Sequence, residues 1–207
     1  DPMTKHINTI VDYSLLWLLG VDYHNEGYGD RDFLELVYPK MVSLMGFCNG
    51  RRDEHVFLIG KEKDWVYIDW ADMDKDGPLC AEQMLYAACF RAMEEISEQI
   101  GKDGSVYRAE YEKLTAVIEK FFWDEEKGAY IDSFTSGRRN VTRHANIFAI
   151  LFSVADEKKQ EKILKNVLEN DEIPAITTPY FNFFELDVLC RMGKLTEVLD
   201  KIRSYWG

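Results

Sequence analysis

Residues 144–168 read HANIFAILFSVADEKKQEKILKNVL, and the change of character halfway along them decides the fold class. The first half, His144 to Ala155, is apolar almost all round. A helix that is hydrophobic on every face is buried on every face. The second half, Glu157 to Leu168, confines its apolar residues to one stripe and keeps its charges on the other side, as a helix bordering water does. A buried helix followed by an amphipathic one is a helical hairpin with an inner and an outer arm.

The same alternation recurs on both sides of this stretch. Apolar Ile7 to Leu19 precedes amphipathic Arg31 to Met45, Gln83 to Met93 precedes Tyr107 to Phe122, and Pro179 to Met192 precedes Thr196 to Tyr205. In the segment from Tyr107, the residues Tyr107, Tyr111, Leu114, Val117, Ile118 and Phe121 follow helical spacing, opposite Glu110, Glu112, Lys113 and Glu119. Asp30, Ser105, Asp156 and Thr196 are placed as N-caps, and Gly20, Gly101 and Gly193 as helix ends. Four hairpins with buried inner arms predict an all-α domain in which an inner ring of helices sits inside an outer one. The repeat carries no shared motif, unlike tetratricopeptide or ankyrin arrays. His55–Ile59 and Trp65–Trp70, joined by residues 60–64, are expected to form a small inserted β-hairpin, and Ala129–Asp132 a further short strand.

Composition narrows the function. The 207 residues, 46% hydrophobic and 30% charged, suit one or at most two globular domains. No run reaches the ~18 uninterrupted apolar residues of a membrane span. A net charge of −12 opposes nucleic-acid binding, which needs a surplus of lysine and arginine. Cys48, Cys80, Cys89 and Cys190 have no C-x-x-C spacing and read as buried free thiols. Asp72-Met73-Asp74-Lys75-Asp76-Gly77 matches the D-x-D-x-D-G opening of a calcium loop, but its twelfth position is Gln83, with Glu82 one place short. The run therefore reads as an acidic turn, with Asp72, Asp74 and Asp76 as weak metal candidates, and no cofactor is expected. The compartment is not legible.

DYSLLWLLG (12–20), VYIDWAD (66–72), FFWDEEKGAYIDS (121–133), TRHANIFAILFSVA (142–155), TTPYFNFFELDVLCRMGK (177–194) and IRSYWG (202–207) together resemble the catalytic domain of bacterial α-L-rhamnosidases, six-hairpin glycosidases. The resemblance implies an (α/α)6 toroid of which this chain supplies about four hairpins. It also implies removal of terminal α-L-rhamnose by inverting hydrolysis, with the general-acid glutamate upstream of the first segment and the general base downstream of the last. The chain would then be inactive alone, and its incomplete barrel could self-associate. Inversion needs two carboxyl groups roughly 6.5–9.5 Å apart, so that a water fits between them.

The expected sugar contacts follow from that chemistry. Asp69 and Trp70 match an Asp-Trp element of the family's sugar pocket, one carboxylate for hydroxyl groups and one aromatic face for the ring. Asp12 is a charge within an apolar helix and needs a partner or a role. His144, beside Arg143, opens an inner helix, and Tyr180 and Phe181 open another; Glu82 is a first-turn acid with a lesser claim. The bland reading of each is packing, capping or a satisfied buried acid. A non-catalytic helical-hairpin module binding sugar or protein is the alternative function. Carbohydrate is the expected partner, with neither nucleic acid nor membrane.

Overall fold

The computed structural model describes residues 10–61 and 64–207. Eight α-helices among the described residues pair into four hairpins: α1 (Val11–Tyr28) with α2 (Arg31–Asn49), α3 (Cys80–Gln99) with α4 (Ser105–Phe122), α5 (Arg143–Leu151) with α6 (Glu157–Ile163), and α7 (Pro179–Arg191) with α8 (Leu195–Trp206). A π-helical turn, Leu164–Leu168, continues α6. The inner arms α1, α3, α5 and α7 pack on one another in chain order, so they form an arc, with the outer arms behind them. Helix α3 is buried on all sides from Cys80 to Phe90, and every residue of α5 is buried, as expected of the inner layer.

Helix ends test the caps. Asp30 and Asp156 cap as expected, accepting from the Phe33 and Lys159 amides at 3.0 and 2.9 Å. Ser105 is instead the first residue of α4, its amide held by Asp103, and Thr196 lies inside α8 behind Lys194. Gly101 and Gly193 follow their helices in the left-handed region, at φ 77° and 74°. Gly20 does not end α1. The helix runs on because Val21 and Asn25 continue its buried face, and it stops at Gly29, φ 63°. Helix α3 extends beyond both expected ends, α2 continues to Asn49, and α5 stops at Leu151 instead of Ala155. Ile7 to Thr9 lie outside the described residues.

Among the described residues the expected β-hairpin over 55–70 does not form; one isolated bridge joins Arg52 and Leu58. The physical reason is competition from side chains. Asp53 accepts from the amides of His55 and Phe57, Gln83 takes both backbone groups of Leu58, and Asp12 takes the amides of Tyr67 and Ile68. Groups already satisfied this way have no need of a ladder. Val56 and Ile68 are held at φ 70° and 54°, positions that β-branched residues seldom adopt. The short strand survives in part: β1 (Trp123–Asp124) pairs antiparallel with β2 (Ala129–Tyr130). No helix of the described residues is long and apolar enough to cross a membrane. Three thiols are buried and free, but Cys190 is exposed, against expectation, because it falls on the outward side of α7.

Candidate sugar site at the N-terminal ends of the inner helices

The loop between α2 and α3 passes over the N-terminal ends of the inner helices, and buried polar side chains hold it there. Asp12, in the first turn of α1, is fully buried and accepts from Tyr67 N and Ile68 N at 3.3 and 2.9 Å. Burial raises its carboxyl above the usual range, opposed by those two amides and by Lys75. Lys75 Nζ donates to the Val66 and Tyr67 carbonyls at 3.1 and 2.8 Å. The loop is thereby tied down from both sides of its backbone.

Asp69 is the hub. Its Oδ2 accepts from His144 Nε2 at 2.9 Å, at the start of α5, and its Oδ1 from the Thr178 hydroxyl at 2.7 Å, just before α7. Burial would push this carboxyl up, yet the His144 and Thr178 hydrogen bonds and the Trp70 backbone outweigh it, and it rests below its ordinary value. Asp69 is thus a fixed anion, 2% exposed, while its neighbour Trp70 is 67% exposed. The Asp-Trp pair divides into an inward anchor and an outward aromatic ring.

Around Trp70 lies an aromatic group. Trp65, Tyr67 and Trp70 meet edge to face with centroids 5.3–5.6 Å apart, and Tyr13 of α1 meets Tyr67 at 5.7 Å. Tyr13, Trp65 and Tyr180 are all partly open to solvent. Burial raises the Tyr180 hydroxyl, with the charges of Asp12, Tyr13, Asp69 and Tyr67 adding, while its ring meets Phe181 and Phe184 of its own helix edge to face. Aromatic faces beside polar anchors suit a ring with one apolar and one hydroxylated side.

The remaining sequence candidates fall elsewhere. Phe181 is fully buried, 4.3 Å from the His144 ring, and is core. Arg143 turns away into a buried pair with Glu185 at 2.6 Å. Glu82 is 1% exposed, and burial, with the charge of Asp12 adding, raises it to about 8. Its Oε1 and the Nδ1 of His144 have no partner among the described residues. Asp74 is buried and accepts from the Ser136 hydroxyl, the Asp76 carbonyl accepts from Ser133 and Thr135, and Asp72 stays exposed. The D-x-D-x-D-G run is therefore clasped as a turn by residues 132–136. Among the described residues no three acids, histidines or cysteines converge as metal ligands.

Six participants escaped the sequence reading: Tyr13, Trp65, Tyr67, Lys75, Asp132 and Thr178. Asp132 is buried and accepts from Thr142, Asn140 and Asp74 N. Thr178 had a visible signal, a threonine directly before a proline that starts a helix. A separate recess of about 170 Å³ lies toward the C-terminal ends of the inner helices, lined in part by Asp22, Glu26, Arg91, Glu95 and Arg191. Ten residues of α1, about 15 Å, separate Asp22 from Asp12, so the two places are distinct.

Residues 7–174 match the family described as the bacterial alpha-L-rhamnosidase six-hairpin glycosidase domain. The chain belongs to this family. The rhamnosidase domain fold recurs in a rhamnosidase from Klebsiella oxytoca with rhamnose bound, at TM-score 0.83 and 23% identity, over 96% of this chain and 38% of that one. It recurs as well in a GH78 family rhamnosidase of Bacillus sp. GL1, at TM-score 0.85 and 23% identity, over 97% of this chain and 22% of that one. At that identity the likeness shows the fold, and the chain spans well under half of either enzyme. No curated protein matches the chain significantly.

Proposed function

We propose that this part of a rhamnosidase-family domain holds the non-reducing sugar of an α-L-rhamnoside while a general acid and a general base, supplied outside residues 1–207, carry out inverting hydrolysis. The observation that carries the reading is the exposed ring of Trp70, standing on a loop that buried Asp69 anchors to His144 and Thr178, at the end of the inner arc where three hairpins meet. An open aromatic face on an anchored loop favours stacking of a pyranose ring. The placing of the acid and base elsewhere is supported by the state of the local carboxyl groups. Asp12 and Asp69 are buried and hydrogen-bonded, and Glu82 is buried, so none offers an open oxygen to a leaving group or to a water.

The test is release of nitrophenol from p-nitrophenyl α-L-rhamnoside, by this chain and by the longest natural polypeptide that contains it. Turnover by the longer polypeptide alone supports the reading. Turnover by this chain alone would place acid and base within it. Saturable binding of L-rhamnose with no turnover by either would move the function to a sugar-binding module.

A further inference from the structure

Thr178 uses one hydroxyl twice. Its oxygen caps α7, accepting from Phe181 N at 3.3 Å, while its hydrogen is directed at Asp69 Oδ1, 2.7 Å away. The partner lies 109 residues earlier in the chain, so this contact joins the fourth hairpin to the loop between the first and second. With His144 on the other oxygen, Asp69 has both oxygens engaged and lies almost wholly out of solvent. A sugar hydroxyl therefore has no open approach to it. Trp70, the next residue, projects outward in edge contact with Trp65 and Tyr67.

We propose that Thr178 is a positioning residue: acting through Asp69, it fixes the 64–72 loop so that Trp70 and Trp65, backed by the buried ring of Tyr67, stand as a preformed platform for the sugar ring. A loop held in its bound geometry beforehand spares the ordering cost at binding. A free loop carrying three large rings would collapse them onto one another or onto the apolar inner helices. The positioning stands on geometry alone; its consequence for substrate rests on the sugar-site reading.

Two substitutions separate positioning from capping. Thr178→Ser keeps both bonds. Thr178→Asp keeps a good cap acceptor for α7 but has no hydrogen for Asp69 and sets a like charge against it. Hydrogen–deuterium exchange on the whole chain is expected to show peptides spanning 65–72 exchanging about ten-fold faster in Thr178→Asp, equivalent to about 1.4 kcal/mol of easier opening. Peptides of α7 should keep their protection, and Thr178→Ser should match the unaltered chain. Unchanged exchange at 65–72, or equal loosening of α7, would overturn the positioning. In the longest natural polypeptide, Thr178→Asp is expected to raise KM for the nitrophenyl rhamnoside several-fold with little change in kcat, and Thr178→Ser to restore it. A normal KM beside a loosened loop overturns the proposal. A loosened loop in a polypeptide that never cleaves rhamnosides supports the positioning and sinks the sugar reading instead.

Discussion

Gln83 brackets the backbone of Leu58: its Nε2 donates to the Leu58 carbonyl at 2.9 Å, and its Oε1 accepts from the Leu58 amide at 2.8 Å. One side chain in the first turns of α3 thus does for Leu58 what a neighbouring strand would have done, and it does so with no exposure to water. The consequence is local and measurable. Gln83→Leu leaves two buried backbone groups unpaired, each costing roughly 1–3 kcal/mol. A loss of unfolding free energy of that order, read from a lower urea midpoint, is expected, with Gln83→Glu intermediate because the acceptor survives. A midpoint unmoved by Gln83→Leu would mean that the loop re-pairs by itself.

Glu82 gives stability a pH dependence. Its folded carboxyl is raised from 4.5 to about 8, by burial first and by the charge of Asp12 second. The folded state therefore binds a proton more tightly than the unfolded one. The stability from that proton is full below about pH 4.5 and is lost as pH climbs toward about 8. Glu82→Gln is expected to flatten this slope, leaving urea midpoints close to the unaltered chain near pH 5 and above it near pH 8.5. A difference between the two proteins that does not change with pH would refute the buried acid.

Arg143 and Glu185 form a pair with side chains 6% and 0% exposed, and Lys201 reaches the other Glu185 oxygen at 2.5 Å. Removing one member of a buried pair strands the other, at about 3 kcal/mol or more. Arg143→Met should lower the melting temperature, and adding Glu185→Gln should recover part of the loss. If Arg143 served the sugar, the double variant would regain stability while substrate use stayed impaired. The expected result is that substrate use recovers with stability, because the guanidinium points away from the site.

Trp70 is the ring that the sugar reading exposes. In the longest natural polypeptide, Trp70→Ala is expected to weaken use of an α-L-rhamnoside about ten-fold or more, or about 1.4 kcal/mol. Melting should hardly change, since two-thirds of the side chain is already in water. Ordinary kinetics in that variant would remove Trp70 from the site.

Apolar side chains also stand exposed on both outer inner-arc helices: Tyr13 and Trp17 on α1, and Phe183 on α7. Such faces seek partners. Light scattering of the isolated chain is expected to show mass rising with concentration, and Trp17→Gln with Phe183→Gln to reduce it. A monomer at every concentration would show that these faces need no cover.

The hairpin order was legible because helix burial is written locally. A segment such as residues 144–151 has no polar face to turn outward, and Glu157 to Leu168 has one, so inner and outer arms could be told apart without any partner being known. Asp30 and Asp156 were legible as caps for the same reason: a cap bonds an amide three residues ahead. The 55–70 segment was misread because its alternation of apolar residues is that of a strand, while two of the three side chains claiming its amides, Asp12 and Gln83, lie tens of residues away, with only Asp53 close by.

What the sequence alone determined, then, was the helical class, the four hairpins and the family, together with the short set of polar residues unusual for an apolar layer. Which way each of them points was decided only by the tertiary structure. Asp69 and Trp70 are adjacent in the chain, yet one is locked between His144 and Thr178 and the other faces solvent. Neither fate can be read from the dipeptide. The reason is physical: a carboxylate is buried only where donors converge on it, and here those donors come from the starts of two helices 75 and 109 residues further on.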